Sequence, residues 1–130
     1  MQLALIMASV LHILPAVAWA GFTFTLARTA AAGIESLFAP QMGAGAVAIL
    51  AGGWLWSLTH EGGFGDAEKV LGLGGLAAIA AFATQAVSTG PVIRRLGNDP
   101  KLRRRAGIGQ RIAAGLLGVA IICMASARYV

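Results

Sequence analysis

The sequence predicts an all-α integral membrane protein, an antiparallel bundle of four helices with both termini on the outer, periplasmic side. Its 130 residues are 58% hydrophobic and only 12% charged, whereas a soluble domain carries about 25% charged residues. Four apolar runs reach or approach the ~20 residues that cross the hydrocarbon layer. Such runs must be helical, because lipid offers backbone groups no other hydrogen-bond partner. We therefore expect one transmembrane domain covering residues 1–130.

The four helices are predicted over residues 3–27, 43–60, 69–90 and 107–128. The first run has no Lys or Arg before it, so we interpret it as a membrane span and not as a cleaved signal peptide. The second and fourth runs are short, and the fourth reaches adequate length if it begins near Gly107. In that case Arg111 extends its charged end to the interface.

The distribution of charge predicts the orientation of these helices. Seven of the ten Lys and Arg residues lie between Arg94 and Arg111, whereas the loop after helix 2 contains Glu61, Asp66 and Glu68. Basic loops remain in the cytoplasm, so the basic loop is predicted inside and the acidic loop outside. This pattern favours a bacterial inner membrane. The basic segment either serves only as this topological signal or also attracts anionic lipid, and its local character argues against nucleic-acid binding.

His12 is the residue on which the functional prediction depends. If helix 1 begins near Leu3, His12 lies about 14 Å below the surface, close to the middle of the bilayer. The other helices carry glycines near that depth, among them Gly53, Gly75 and Gly118. These glycines could leave room for a flat macrocycle, and imidazole is a common axial ligand of haem iron. We therefore expect a haem b site at His12, with a structural hydrogen bond or a proton relay as alternatives.

Two polar side chains complete the predicted site. Trp19 follows His12 by seven residues and therefore falls on the same helix face. Gln85 lies within the apolar run of helix 3 and should face the bundle interior, since a polar group exposed to lipid is costly. It would either join helices or bind the cofactor.

His60 is the only other histidine. It closes predicted helix 2 at the outer surface, about 13 Å above His12 along the membrane normal. That separation favours a five-coordinate haem, or a second ligand other than His60. A copper site is a minor alternative, because soft sulfur ligands suit Cu(I) and the outer third of the bundle contains Met7, Cys123, Met124 and His60.

The remaining chemistry-bearing residues exclude several classes of enzyme. All five acidic residues lie in predicted loops or at helix ends, and no zinc-binding spacing or phosphate-binding loop is present. No residue is assigned a catalytic role. Two hypotheses follow. The chain is either a haem-containing membrane protein for redox or electron transfer, with a haem-dependent oxidoreductase as one form of this hypothesis, or a cofactor-free accessory or assembly subunit of a larger membrane complex or homo-oligomer.

Two segments resemble a known group of proteins. "LHILPAVAWAGFTFTLAR" (11–28) and "QAVSTGPVIRRL" (85–96) resemble the CopD-like and HemJ-like four-helix bacterial membrane proteins. CopD-type proteins are associated with copper uptake, and HemJ-type proteins are haem-b-binding protoporphyrinogen oxidases. The resemblance implies a ligand role for His12. The HemJ type also has an important lysine in helix 3, whereas helix 3 here offers only Lys69 at its outer tip, so the oxidase activity is not carried over.

Overall fold

The computed structural model describes residues 1–130 and contains helices without any strand. The four long helices are α1 (Gln2–Arg28), α2 (Ile34–Thr59), α3 (Asp66–Thr89) and α4 (Pro100–Ser126). Two short 3₁₀ turns cover Ile93–Arg95 and Ala127–Tyr129. All four long helices have the length and apolar composition needed to cross a membrane. The prediction of four membrane-spanning helices is confirmed in this respect.

Two of the helices begin earlier than their apolar runs. α2 begins at Ile34 and not at residue 43, and α4 begins at Pro100 and not at residue 107. The start of α4 has a strong local cause. The Asp99 side chain accepts a hydrogen bond of 2.9 Å from the backbone nitrogen of Lys101, and Pro100 occupies the first helical position, where its missing N–H costs nothing. Both helices thus extend beyond the uncharged apolar segments, α2 through Glu35 and Pro40 and α4 through four basic residues.

The helices associate mainly as two pairs. α1 packs most extensively on α2, and α3 on α4, while smaller contacts join α1 to α4 and α2 to α3. Alanine dominates the main core cluster, which contains Trp19, Ala48, Ala77, Ala78, Ala81, Ala113, Leu117 and Ala120. Small side chains allow helix backbones to approach closely, which is how helices associate in lipid.

The α1–α2 loop lies against the α3–α4 loop at one end of the molecule. A second core cluster there contains Leu26, Ala31, Ile34, Val92, Leu96 and Ala106. Ala30 and Ala31 adopt positive φ angles of 50° and 64°, a conformation that costs alanine about 1 kcal/mol or more. We refer to this end, which carries most of the arginines, as the basic end.

α1 is the least covered helix. Only 11% of the residues in its most apolar stretch are buried, compared with 28% in each of the other three helices. Large apolar side chains on α1, including Leu3, Leu14 and Val17, are more than half exposed. This face is suited to contact with lipid tails or with another transmembrane helix.

Candidate functional site

His12 lies where α1 crosses α2. Its ring Nδ1 is 2.8 Å from the backbone carbonyl oxygen of Ala48. A carbonyl oxygen only accepts hydrogen bonds, so Nδ1 carries the proton and donates it. The side chain is half-buried, and Nε2 makes no hydrogen bond within the chain. The imidazole is therefore held by one nitrogen, while the other has no partner within the chain.

Gly52 provides the space for this ring. A Cβ atom added at Gly52 would lie 2.9 Å from Cε1 and 3.0 Å from Nδ1 of His12, closer than real contacts allow. The imidazole thus packs directly on the backbone of α2. A side chain at Gly52 would therefore displace the ring from its present position against α2.

The predicted glycines do not gather around His12. Cβ atoms added at Gly53, Gly75 and Gly118 would meet no atom within 4 Å, and Gly53 is exposed. Neighbouring positions on a helix point about 100° apart. Depth alone therefore could not distinguish Gly52, which contacts the imidazole, from Gly53, which points elsewhere.

A cluster of amide side chains occupies the core between His12 and the basic end. We call it the glutamine cluster, and it consists of one polar residue from each helix, together with Trp19: Thr23, Gln41, Gln85 and Gln110. Thr23 and the three glutamines are completely buried, and Trp19 is 2% exposed. The cluster therefore joins all four helices without contact with solvent or lipid.

Gln85 makes three hydrogen bonds in this cluster. Its Oε1 accepts a hydrogen bond of 2.8 Å from the indole Nε1 of Trp19, and its Nε2 donates a hydrogen bond of 2.8 Å to Thr23 Oγ1. The same Nε2 donates to Gln110 Oε1 at 3.2 Å. Of the two roles considered for Gln85, the structure shows interhelical hydrogen bonding.

Gln41 mirrors this arrangement from α2. Its Nε2 donates to Thr23 Oγ1 at 3.1 Å and to Gln110 Oε1 at 2.7 Å. The Gln110 Nε2 donates back to Gln41 Oε1 at 3.3 Å, and the Thr23 hydroxyl donates to the backbone oxygen of Trp19 at 2.8 Å. No buried side-chain polar atom in the protein is left without a partner. The cluster is thus complete within the chain.

Sequence reasoning did not single out Gln41 or Gln110. Gln41 precedes the predicted start of helix 2, and Gln110 lies among the arginines of the basic segment. A usable signal was present: each glutamine is an uncharged amide near the same end of its helix as Thr23 and Gln85. Uncharged amides at one common depth of several membrane helices are expected to pair, because each needs a partner away from water.

The residues proposed for a haem site fit that group only in part. An imidazole that donates Nδ1–H to a backbone carbonyl and keeps Nε2 free matches the usual arrangement of a metal-ligating histidine. The predicted surroundings do not match. Trp19 and Gln85 bond to each other, and a Cβ atom at Gly45 would already lie 2.9 Å from the Trp19 ring. The core between the helices thus has no room for a macrocycle.

His60 lies apart from His12, at the other end of α2. Its ring stacks on Trp56, with centroids 3.8 Å apart and planes within 6°, and its Nε2 is 3.6 Å from Glu68 Oε1. Eight residues separate it from Gly52, about 12 Å along the helix. The chain contains no group of three or more His, Cys, Asp or Glu residues placed to hold a metal. His12 and His60 are therefore not brought together.

The basic end is organised by Arg103. Its guanidinium donates to the backbone oxygens of Ala31 at 3.0 Å and Gly97 at 3.1 Å, and it pairs with the Glu35 carboxylate. One side chain of α4 thus connects the α1–α2 loop, the first turn of α2 and the α3–α4 loop. Beside it lies a pocket of about 350 Å³ whose lining includes Ala30, Arg104 and Arg111.

Comparison with known proteins yields no match: no protein-family model, curated protein or solved structure is significantly similar to this chain. Function is therefore inferred from the chain's own residues.

Proposed function

We propose that this protein is a multi-pass protein of the bacterial inner membrane that binds haem b through Nε2 of His12 and takes part in electron transfer. The observation that carries the proposal is the 2.8 Å hydrogen bond between His12 Nδ1 and the Ala48 carbonyl. It fixes the ring orientation and directs Nε2 away from the Ala48 carbonyl, as the second hydrogen bond of a metal-ligating histidine usually does. The unpaired Nε2, on a half-buried ring, is the atom that an iron centre would use.

The orientation proposed for the chain is antiparallel, with both termini outside the cell. The arginines near the α1–α2 and α3–α4 loops support it, because short basic loops stay in the cytoplasm. In this orientation His60 and Glu68 lie at the periplasmic surface, and the glutamine cluster lies in the cytoplasmic half of the membrane.

His12 is the residue that would hold the haem. The core beside it is filled by the glutamine cluster and the alanines, so a ligand would reach the ring from its exposed side, where the neighbouring Leu11 is 44% exposed. The chain contributes the anchored imidazole, whereas the haem would supply the one-electron chemistry.

A second candidate function is that of a cofactor-free subunit of a larger membrane complex or a homo-oligomer. The sparse burial of α1, 11% of its most apolar stretch, favours it, because another helix could cover that face. Lipid tails cover the same face equally well, so we rank this function second.

The absorption spectrum of the purified protein tests the first proposal. After expression with a haem precursor, we expect a Soret band that His12→Ala abolishes. His60→Ala is the matched control, because it removes the chain's other histidine and leaves His12 and Ala48 untouched, so the band should persist. A colourless protein that also fails to bind added hemin would contradict the proposal, as would a His12→Ala variant with an undiminished band. Co-purification of the colourless protein with a larger complex would favour the second function.

A further inference from the structure

The pocket at the basic end lies between α4 and the α1–α2 loop and is lined by arginines. Its volume is about 350 Å³, and its lining from α4 includes Arg104, Gly107, Ile108 and Arg111. These residues are spaced by three and four positions and so share one face of the helix. The α1–α2 loop forms the opposite wall, where a Cβ atom at Gly107 would lie 3.5 Å from the backbone carbon of Ala30. The backbones of α4 and of this loop therefore lie close together at Gly107.

Two of the arginines in this pocket have no acidic partner. Arg103 is occupied by two backbone oxygens and Glu35. Arg104 makes no hydrogen bond or ion pair within the chain, and Arg111 has only a 3.5 Å contact from its Nε to the Ala27 oxygen. Both are exposed. Guanidinium groups are suited to bind phosphate through paired N–H donors, so the pocket has anion-binding capacity that the chain does not use.

The arginines share this face of α4 with exposed apolar side chains, Ile108 between Arg104 and Arg111 and Ile112 directly after Arg111. Ile108 is 45% exposed and Ile112 is 52% exposed, and α4 continues as a candidate membrane span. A ligand bound here would have its anionic group at the arginines and could extend an apolar chain along the isoleucines. A free phosphate would use only the first of these two features.

From this arrangement we infer that the pocket between the α1–α2 loop and α4 is a binding site for the phosphate group of an anionic phospholipid. Arg104 and Arg111 hold the phosphate, and Ile108 and Ile112 contact the acyl chain. The site is more specific than a general attraction of the basic segment for anionic membranes. Arg94 and Arg95 belong to that segment and are exposed, but they do not line the pocket.

The test measures retention of phosphatidylglycerol by the purified full chain, using native mass spectrometry and titration in neutral detergent. The double variant Arg104→Gln/Arg111→Gln is compared with Arg94→Gln/Arg95→Gln, which removes the same charge outside the pocket. Each basic residue near an anionic lipid contributes about fivefold in affinity. We therefore expect the pocket variant to weaken binding roughly 25-fold and the control variant less than twofold. The single variant Arg104→Gln, whose side chain has no partner to lose, should weaken binding about fivefold even if the double variant is unstable.

A competition arm distinguishes the two sources of phosphate. Inorganic phosphate at millimolar concentration should not displace the lipid. Ile112→Ser should weaken binding of the lipid and leave binding of inorganic phosphate unchanged. Equal losses in the pocket and control variants would overturn the site, because binding would then depend on total charge alone. Displacement of the lipid by millimolar inorganic phosphate would overturn the assignment to a phospholipid.

Discussion

The indole Nε1 of Trp19 donates a 2.8 Å hydrogen bond to Oε1 of Gln85 and so connects α1 with α3. These two helices are not extensively packed on each other, and neither are α2 and α4. The 2.7 Å bond between Gln41 and Gln110 connects that second pair. The glutamine cluster therefore joins the helices that backbone packing leaves apart, and its loss should affect the association of all four.

Replacing Gln85 by leucine should destabilise the protein by roughly 2 kcal/mol. Gln85 makes three interhelical hydrogen bonds, and bonds of this kind in membrane proteins contribute on average about 0.6 kcal/mol each. Unfolding by sodium dodecyl sulfate in mixed micelles measures the change. Thr84→Val is the matched control, because the Thr84 hydroxyl bonds only to Ala80 of its own helix. A Gln85→Leu variant as stable as this control would contradict the proposed role of the cluster.

Gly45→Ala should destabilise the protein by about 1–3 kcal/mol, the usual cost of overpacking a core. The new Cβ atom would lie 2.9 Å from the Trp19 ring and 3.0 Å from Phe82, and Trp19 cannot move freely while it is bonded to Gln85. Gly43→Ala changes the same residue type two positions earlier, where nothing lies within 4 Å. That control should be neutral or slightly stabilising, since alanine favours helices. Thermal unfolding of both variants checks the difference.

Gly52→Ala should displace the His12 ring from Ala48, because the added carbon would lie 2.9 Å from the ring. Nitrogen NMR of ¹⁵N-histidine-labelled protein reports this without any cofactor. In the native protein Nδ1 should carry the proton, whereas the variant should lose that preference. Gly53→Ala is the control, since its Cβ atom would meet nothing within 4 Å. If both variants retained the native Nδ1 signal, Gly52 would not be what positions the ring.

Arg103→Ala should lower stability by about 1–2 kcal/mol in neutral detergent. It removes two bonds to backbone oxygens in addition to the pair with Glu35. Glu35→Ala removes only the ion pair with Arg103, whose two side chains are 32% (Arg103) and 46% (Glu35) exposed. Its cost should therefore be about 0–1 kcal/mol, the usual contribution of an exposed ion pair. Arg104→Ala, which loses no partner, should change stability by less than about 0.5 kcal/mol. Similar losses in the Arg103 and Arg104 variants would show that Arg103 does not organise this end of the protein.

The helices were predictable from the sequence because a helix that crosses the hydrocarbon layer needs a long run of apolar residues. The helix starts were less predictable, since Glu35 and Pro40 interrupt the apolar run at the start of α2 and basic residues occupy the start of α4. The inward placement of Gln85 followed from the cost of exposing a polar group to lipid, and Gln85 is buried. Its partners could not be identified, because pairing depends on the rotation of each helix about its axis.

The candidate site shows the same limit. His12 was identified by its chemistry and depth, but the group that holds it, the Ala48 carbonyl, belongs to the backbone and has no sequence signature. Gly52 and Gly53 are indistinguishable in the sequence, and only the rotation of α2 separates them. Which arginine pairs with Glu35 is likewise not visible in the sequence: Arg103 does, whereas the adjacent Arg104 has no partner.

The glutamine cluster contains amides, a hydroxyl and an indole, and none of these groups gains or loses a proton between about pH 4 and 9. A membrane that maintains a proton gradient exposes its proteins to different acidity on the two sides. The forces that join these four helices at the cluster should be indifferent to that gradient.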